Sequence, residues 1–181
     1  MRATGIVRRI DELGRVVIPK EIRRTMRIRE GDPLEIYTDN NGEVIFKKYS
    51  PLSDLGIFAN QYVEVLYKSC GFPAVVCDCD HVIAVAGIPK KELLERRVSP
   101  TMEEHMAQRK PFANNISDGT RLQPVEGVDR FAIACAPIIT SGTVCGSIML
   151  LGENATNIAA GDTEVMLISV AAAFLAKQME E

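Results

Sequence analysis

The sequence predicts an α+β protein in two parts: a small, basic, strand-rich N-terminal segment and a larger acidic domain with an antiparallel sheet flanked by helices. Three observations carry this expectation. The charge is divided, because residues 1–50 hold 11 Lys and Arg against 8 Asp and Glu, whereas residues 51–181 hold 10 against 16. Short β-branched runs alternate with Gly, Asn and Asp turn residues, as hairpins require. Two long apolar stripes at helical spacing bracket the second part.

In the first part, strands are expected over Thr4–Arg9, Arg15–Ile18, Leu34–Thr38 and Glu43–Lys48. The last two are joined by Asp39-Asn40-Asn41-Gly42, a hairpin turn whose Asn-Gly accepts positive φ. Pro19 suits the first position of a short helix to Met26, with Glu21 in its first turn, where negative charge is favoured. Ile22 and Met26, four apart, share one face, leaving Arg23, Arg24 and Arg27 mostly on the others. About 50 residues with one two-turn helix have little to bury, so a partner subunit is expected, most simply by strands of two copies interleaving.

Ser50-Pro51 marks a boundary, giving domains over 1–50 and 56–181 with a linker over 51–55. Ser53 can cap a helix to about Cys70, stopped by Gly71 and Pro73, with Leu55, Phe58, Ala59, Tyr62 and Leu66 on one stripe. The final helix, after Gly161-Asp162, repeats the pattern with Ile168, Ala171, Ala172, Leu175 and Met179. Between them come a hairpin (Ala74–Asp78, Val82–Ala86), helical stretches near Lys90–Arg96 and Thr101–Gln108, and a loop-rich segment to Asp129. A second hairpin, Phe131–Ile139 with Val144–Leu151, turns at Thr140-Ser141-Gly142.

The longest apolar run, Phe131 to Ile139, is far short of a bilayer span, and the N-terminus lacks the apolar core of a signal peptide, so a cytoplasmic protein without a membrane partner is expected. Cysteines 70, 77, 79, 135 and 145 are odd in number and have no disulfide-framework spacing. Cys77-Asp78-Cys79-Asp80-His81 lacks the second ligand pair of a structural zinc site, so no metal and no cofactor is expected. His105 reads as a surface side chain. No nucleophile–base motif or glycine-rich phosphate loop marks an enzyme.

The remaining feature is the basic front. Arg8 and Arg15 lie on strand ends either side of the turn Asp11–Gly14, and Arg23 and Arg24 project from the adjacent helix. One surface can collect four guanidinium groups, whose planar forks bind phosphate or guanine O6 and N7. The bland alternative is a solvated face pairing with Asp11, Glu12 and Glu21. Residues 1–48, and above all TGIVRRIDELGRVVIPKEIRR, resemble the swapped-hairpin DNA-binding domain of the AbrB family of transition-state regulators. The whole chain, with KKYSPLSDLG leading into the second part, is similar to sporulation regulators of endospore-forming bacteria.

That resemblance implies an intertwined, β-barrel-like N-terminal dimer that binds double-stranded DNA. Its DNA-facing positions carry over to Arg8, Arg15, Arg23 and Arg24, with Arg9 and Lys20 as weaker candidates. It also implies a C-terminal GAF sensor domain for an unidentified small molecule, and tetramers assembled through helices. Two rival functions belong to relatives of these folds: an antitoxin of the swapped-hairpin class, and a cysteine-dependent redox enzyme of GAF type acting on methionine sulfoxide.

Overall fold

The computed structural model describes residues 4–117, 119–153 and 158–180, with the side chains of residues 53, 54 and 153 also left outside the description. The chain divides into two compact units, Met1–Tyr49 and Ser50–Glu181.

In the first unit, helix α1 (Lys20–Thr25) begins one residue later than expected. Pro19, at φ −57° and ψ 150°, is the N-cap, and its carbonyl accepts the Arg23 N–H at 2.9 Å. Strands β1 (Leu34–Thr38) and β2 (Val44–Lys48) form the expected antiparallel hairpin, Leu34 opposite Lys48 and Thr38 opposite Val44. Gly42 takes φ 81°, and the Asp39 carboxylate accepts the N–H groups of Asn41 and Glu43 at 3.0 and 2.8 Å. Lys48 Nζ reaches the Arg27 carbonyl at 3.1 Å and Asp32 at 3.6 Å, tying the end of α1 to the hairpin.

The strands expected over Thr4–Arg9 and Arg15–Ile18 do not form within the single chain. A strand exists only through its ladder, and here the two arms meet only at Asp11, whose N–H donates to the Arg15 carbonyl at 3.0 Å. Their apolar side chains face water: Val7 is 85% exposed, Leu13 74% and Val17 70%. Met26, expected to bury a face with Ile22, is also exposed.

The second unit carries the sheet. Residues 51–55, expected as a linker, contain the four-residue helix α2 (Pro51–Asp54) and the fully buried Leu52. The helix expected as one piece from Ser53 is interrupted at Leu55 and resumes as α3 (Gly56–Cys70), ended by Gly71 at φ 75°. The expected Ser53 cap concerns a side chain outside the described residues. Strands β3 (Ala74–Asp78) and β4 (Val82–Ala86) precede helices α4 (Lys90–Leu93) and α5 (Pro100–Gln108). The former is shorter than the Lys90–Arg96 stretch expected, because Glu95 turns to φ 62° and its N–H bonds the Val82 carbonyl instead. Short β5 (Phe112–Ala113), β6 (Arg130–Thr140) and β7 (Thr143–Glu153) follow, and α6 (Asp162–Gln178) closes the unit.

The sheet order is β4-β3-β7-β6-β5, antiparallel throughout. Both faces are covered, which explains why Ala74 to Cys77 reads as a continuous apolar run rather than an alternation. Ala74, Val76, Ile148 and Leu150 face α3 and α6, where Ala59, Val63, Leu66, Ile168, Ala171 and Leu175 are buried. Phe174 of α6 packs on Tyr62 and Phe58 of α3, with ring centroids 5.5 and 5.7 Å apart. On the opposite face, Val75, Cys77, Met149 and Leu151 meet Leu93, Met102 and Met106. The loop-rich segment before Asp129 contributes Leu122, Val125 and Val128 to this second core, so it is packed against the sheet. Ser99 caps α5 by accepting the Met102 N–H at 3.0 Å.

One close approach positions the start of this unit. Gly146 lies opposite Asp78 on β3, and a Cβ there would fall 2.1 Å from the Cys77 carbonyl oxygen and 2.9 Å from Leu52 Cδ2. Gly146→Ala is therefore expected to destabilise the second unit by about 1–3 kcal/mol. Chemical denaturation of the two proteins checks this, and equal midpoints would contradict it.

Candidate nucleic-acid interface

The turn between the N-terminal arms is built by one carboxylate. Asp11 Oδ1 accepts the N–H groups of Leu13 and Arg15 at 3.0 and 2.8 Å, while Gly14, at φ 74°, donates to the Asp11 carbonyl. An Asp can thus substitute for backbone partners in a tight turn. Asp11 Oδ2 also pairs with Arg15 Nε at 2.8 Å. These bonds, led by the Arg15 N–H, hold the Asp11 carboxyl below its ordinary value, which is 3.8.

Arg15 is therefore engaged by a carboxylate, as the bland reading allowed. Both partners remain largely exposed, at 69% and 41%, and exposed pairs of this kind contribute little and exchange readily for a polyanion. Arg8, on the other arm, is exposed and its guanidinium reaches only the neighbouring Val7 carbonyl, at 3.3 Å. Arg9 is exposed. Lys20, first residue of α1, and Arg24, in its last turn, are exposed as well. Arg23 differs: it is half-buried, and its Nε is shielded from water without a hydrogen-bond partner.

Five of the six candidate cations thus stand in solvent on one turn and one short helix. Sequence reasoning placed them but missed the role of Asp11 as the turn's organiser. The Asp-x-x-Gly spacing of Asp11 and Gly14 was the available signal.

The second unit holds other titratable groups. Cys77 and Cys135 are fully buried, and burial pushes both thiols up, Cys135 to about 12. Cys135 Sγ lies 2.9 Å from Ser147 Oγ, whose hydroxyl donates to the Ala136 carbonyl. Such thiols resist forming the thiolate that redox chemistry needs. His105 is not the surface residue expected; it is half-buried, edge-on to Phe112 with centroids 5.7 Å apart, and burial lowers its pKa. Among the described residues, no group of three or more His, Cys, Asp or Glu is placed to hold a metal, and no helix is long and apolar enough to cross a membrane.

Comparison with known proteins adds the following. Residues 54–180 match the family described as stage V sporulation protein T C-terminal, transcription factor, and residues 7–53 match antidote-toxin recognition MazE, bacterial antitoxin. Stage V sporulation protein T of Bacillus subtilis (strain 168) is 49% identical over 183 residues, covering 100% of both chains. Transition state regulatory protein AbrB of the same organism is 63% identical over 51 residues, which are 28% of this chain and 52% of that one. The GAF domain of a phosphoenolpyruvate-protein phosphotransferase from Coxiella burnetii, 14% identical, covers 70% of this chain and 82% of its own with a TM-score of 0.54, a likeness of fold.

Because bonds to the ionised carboxylate lower the Asp11 pKa, the turn's extra stability is present above 3.8 and is lost as pH falls through the lower folded value. An NMR titration should place the Asp11 midpoint below 3.8, with the Arg15 Nε resonance following it. A midpoint at or above that value would show the cap to be absent in solution.

Proposed function

The chain belongs to the stage V sporulation protein T family, and from that premise we propose that it is a transcriptional regulator of sporulation genes that binds double-stranded DNA through residues 1–50. The observation that carries the interface is the solvent-exposed set Arg8, Arg9, Arg15, Lys20 and Arg24 around one Asp-organised turn and one helix. This segment is also the one 63% identical to AbrB. Arg23 completes the set: its shielded, unpartnered Nε gains a hydrogen bond when an anion arrives.

The N-terminal unit works as a dimer in this reading. Arms 4–9 and 15–18 lack ladders of their own, and Val7, Leu13 and Val17 are left in water, so a second copy supplies both backbone partners and apolar cover. Two copies present eight principal arginines, and if all met phosphate the log-log salt slope would be about −7. Phosphate contacts set position, whereas base edges and DNA shape select the promoter.

Residues 56–181 serve assembly and sensing. Helix α6 leaves Met166, Val170 and Phe174 exposed along one stripe, and α3 leaves Ile57 and Val65, so paired dimers can bury these helices in a tetramer. The protein acts in the cytoplasm as a binding protein rather than an enzyme, a reading supported by the buried, high-pKa thiols of Cys77 and Cys135.

The match of residues 7–53 to MazE keeps an antitoxin role as the second reading. The sheet domain that follows, with its own two-sided core, offers assembly surfaces that neutralising a toxin does not require.

Arg15→Ala and Arg24→Ala are each expected to weaken promoter binding at least tenfold, about 1.4 kcal/mol, with circular dichroism unchanged. Electrophoretic mobility assays check this, and unaltered affinity in both would remove the interface. A fragment of residues 1–53 should sediment as a dimer whose melting temperature rises with concentration. A stable monomer would contradict the interleaved arms.

A further inference from the structure

At the β4 edge of the sheet, the first turn of α3, the β3–β4 turn and the α4 segment line an open cleft of about 560 Å³. That size is ordinary for a small-molecule site. It lies on the edge strand, apart from the packed core that Leu122, Val125 and Val128 complete over the sheet face.

Its walls carry both signs of charge. Lys90 Nζ leans on Asn60 Oδ1 at 3.4 Å, while Asn60 Nδ2 is held by the Gly56 carbonyl at 2.8 Å. An ammonium has three donors, so two remain for an incoming carboxylate. His81 adds an exposed imidazole. Glu95 supplies the negative side: it is exposed, and it is held at φ 62°, a conformation costly for a residue with a Cβ, by the bond from its N–H to the Val82 carbonyl.

Asp78 also lines the cleft, but its carboxylate is spent. It accepts the N–H groups of Asp80 and His81 at 2.7 and 2.6 Å and the Ser50 hydroxyl at 3.1 Å. The half-buried side chains of Ile83 and Leu94 also line the cleft.

We infer that this cleft binds a small zwitterion: a carboxylate against Lys90 and His81, an α-ammonium against Glu95, and an apolar side chain on Ile83 and Leu94. A simple anion would meet Glu95 and Asp78, and a simple cation would meet Lys90. A bare ion of either sign would leave the apolar wall wet. The chemistry is shared by a free amino acid and a short peptide. Occupancy joins the first turn of α3 to the turn on which Ser50 is latched, and so stabilises the segment by which the chain enters the second unit. This deepens the sensing half of the proposed function and rests on it, but not on the DNA interface.

The test uses the full chain in calorimetric titrations with L-leucine and with L-leucyl-L-leucine, which distinguish the two sources. N-acetyl-L-leucinamide, with the same side chain and neither charge, is the control. One zwitterion should bind and raise the melting temperature, the neutral analogue should bind at least tenfold more weakly, and Lys90→Gln and Glu95→Gln should each weaken binding about tenfold. Both positions are exposed, so the unliganded variants should melt with the wild type. No binding of either zwitterion at millimolar concentration, equal binding of the neutral analogue, or unchanged affinity in both variants would overturn the site. Promoter affinity of the same variants without ligand reports separately on the DNA interface: if it is retained while zwitterion binding fails, only the cleft is refuted.

Discussion

The constraint on which the rest depends is that the N-terminal unit cannot satisfy itself. A backbone group removed from water needs a partner, and an extended arm has none unless another strand lies beside it. Residues 4–19 carry Val, Ile and Leu at strand-like spacing, yet in one chain they meet only across the Asp11 turn. In the dimer proposed above, a second copy would make up that deficit and double the cationic surface. On that proposal, one helix and one turn are a small platform, while two sets related by symmetry would match a duplex that is itself nearly symmetric.

Within that platform, Asp11 has a double effect. Its carboxylate closes the turn through two backbone N–H groups and holds the Arg15 guanidinium at the same time. In the proposed interface, an arginine already held in place would lose less side-chain freedom when phosphate replaced the carboxylate.

Much of this was legible in the sequence. Turn chemistry located the hairpin at Asp39–Gly42, and helical stripes located α3 and α6, because those signals are local and read directly from residue type. The cations were legible for the same reason. What escaped was tertiary. The arms read as strands because their composition is that of strands, but a strand needs a neighbour and the single chain places none beside them. Pro51 suggested a spacer, yet Leu52 is drawn into the core by the room left at Gly146, far along the chain, which no local pattern reveals. His105 has a polar name and a half-buried setting beside Phe112, again decided by neighbours distant from it. The cleft with Glu95 was invisible, since nothing in Lys90-Lys91-Glu92-Leu93-Leu94-Glu95 marks a left-handed turn.

The anchoring of residues 50–52 also bears on how modules of this kind can be exchanged. Ser50 is latched to Asp78, and Leu52 is seated over Gly146. A chimera joined after residue 55 would leave the sheet domain with an open hole and a buried carboxylate missing a donor, whereas a graft ahead of Ser50 carries its own closure with it. The usable seam for recombination is therefore the junction between Tyr49 and Ser50, where the two units meet in the chain.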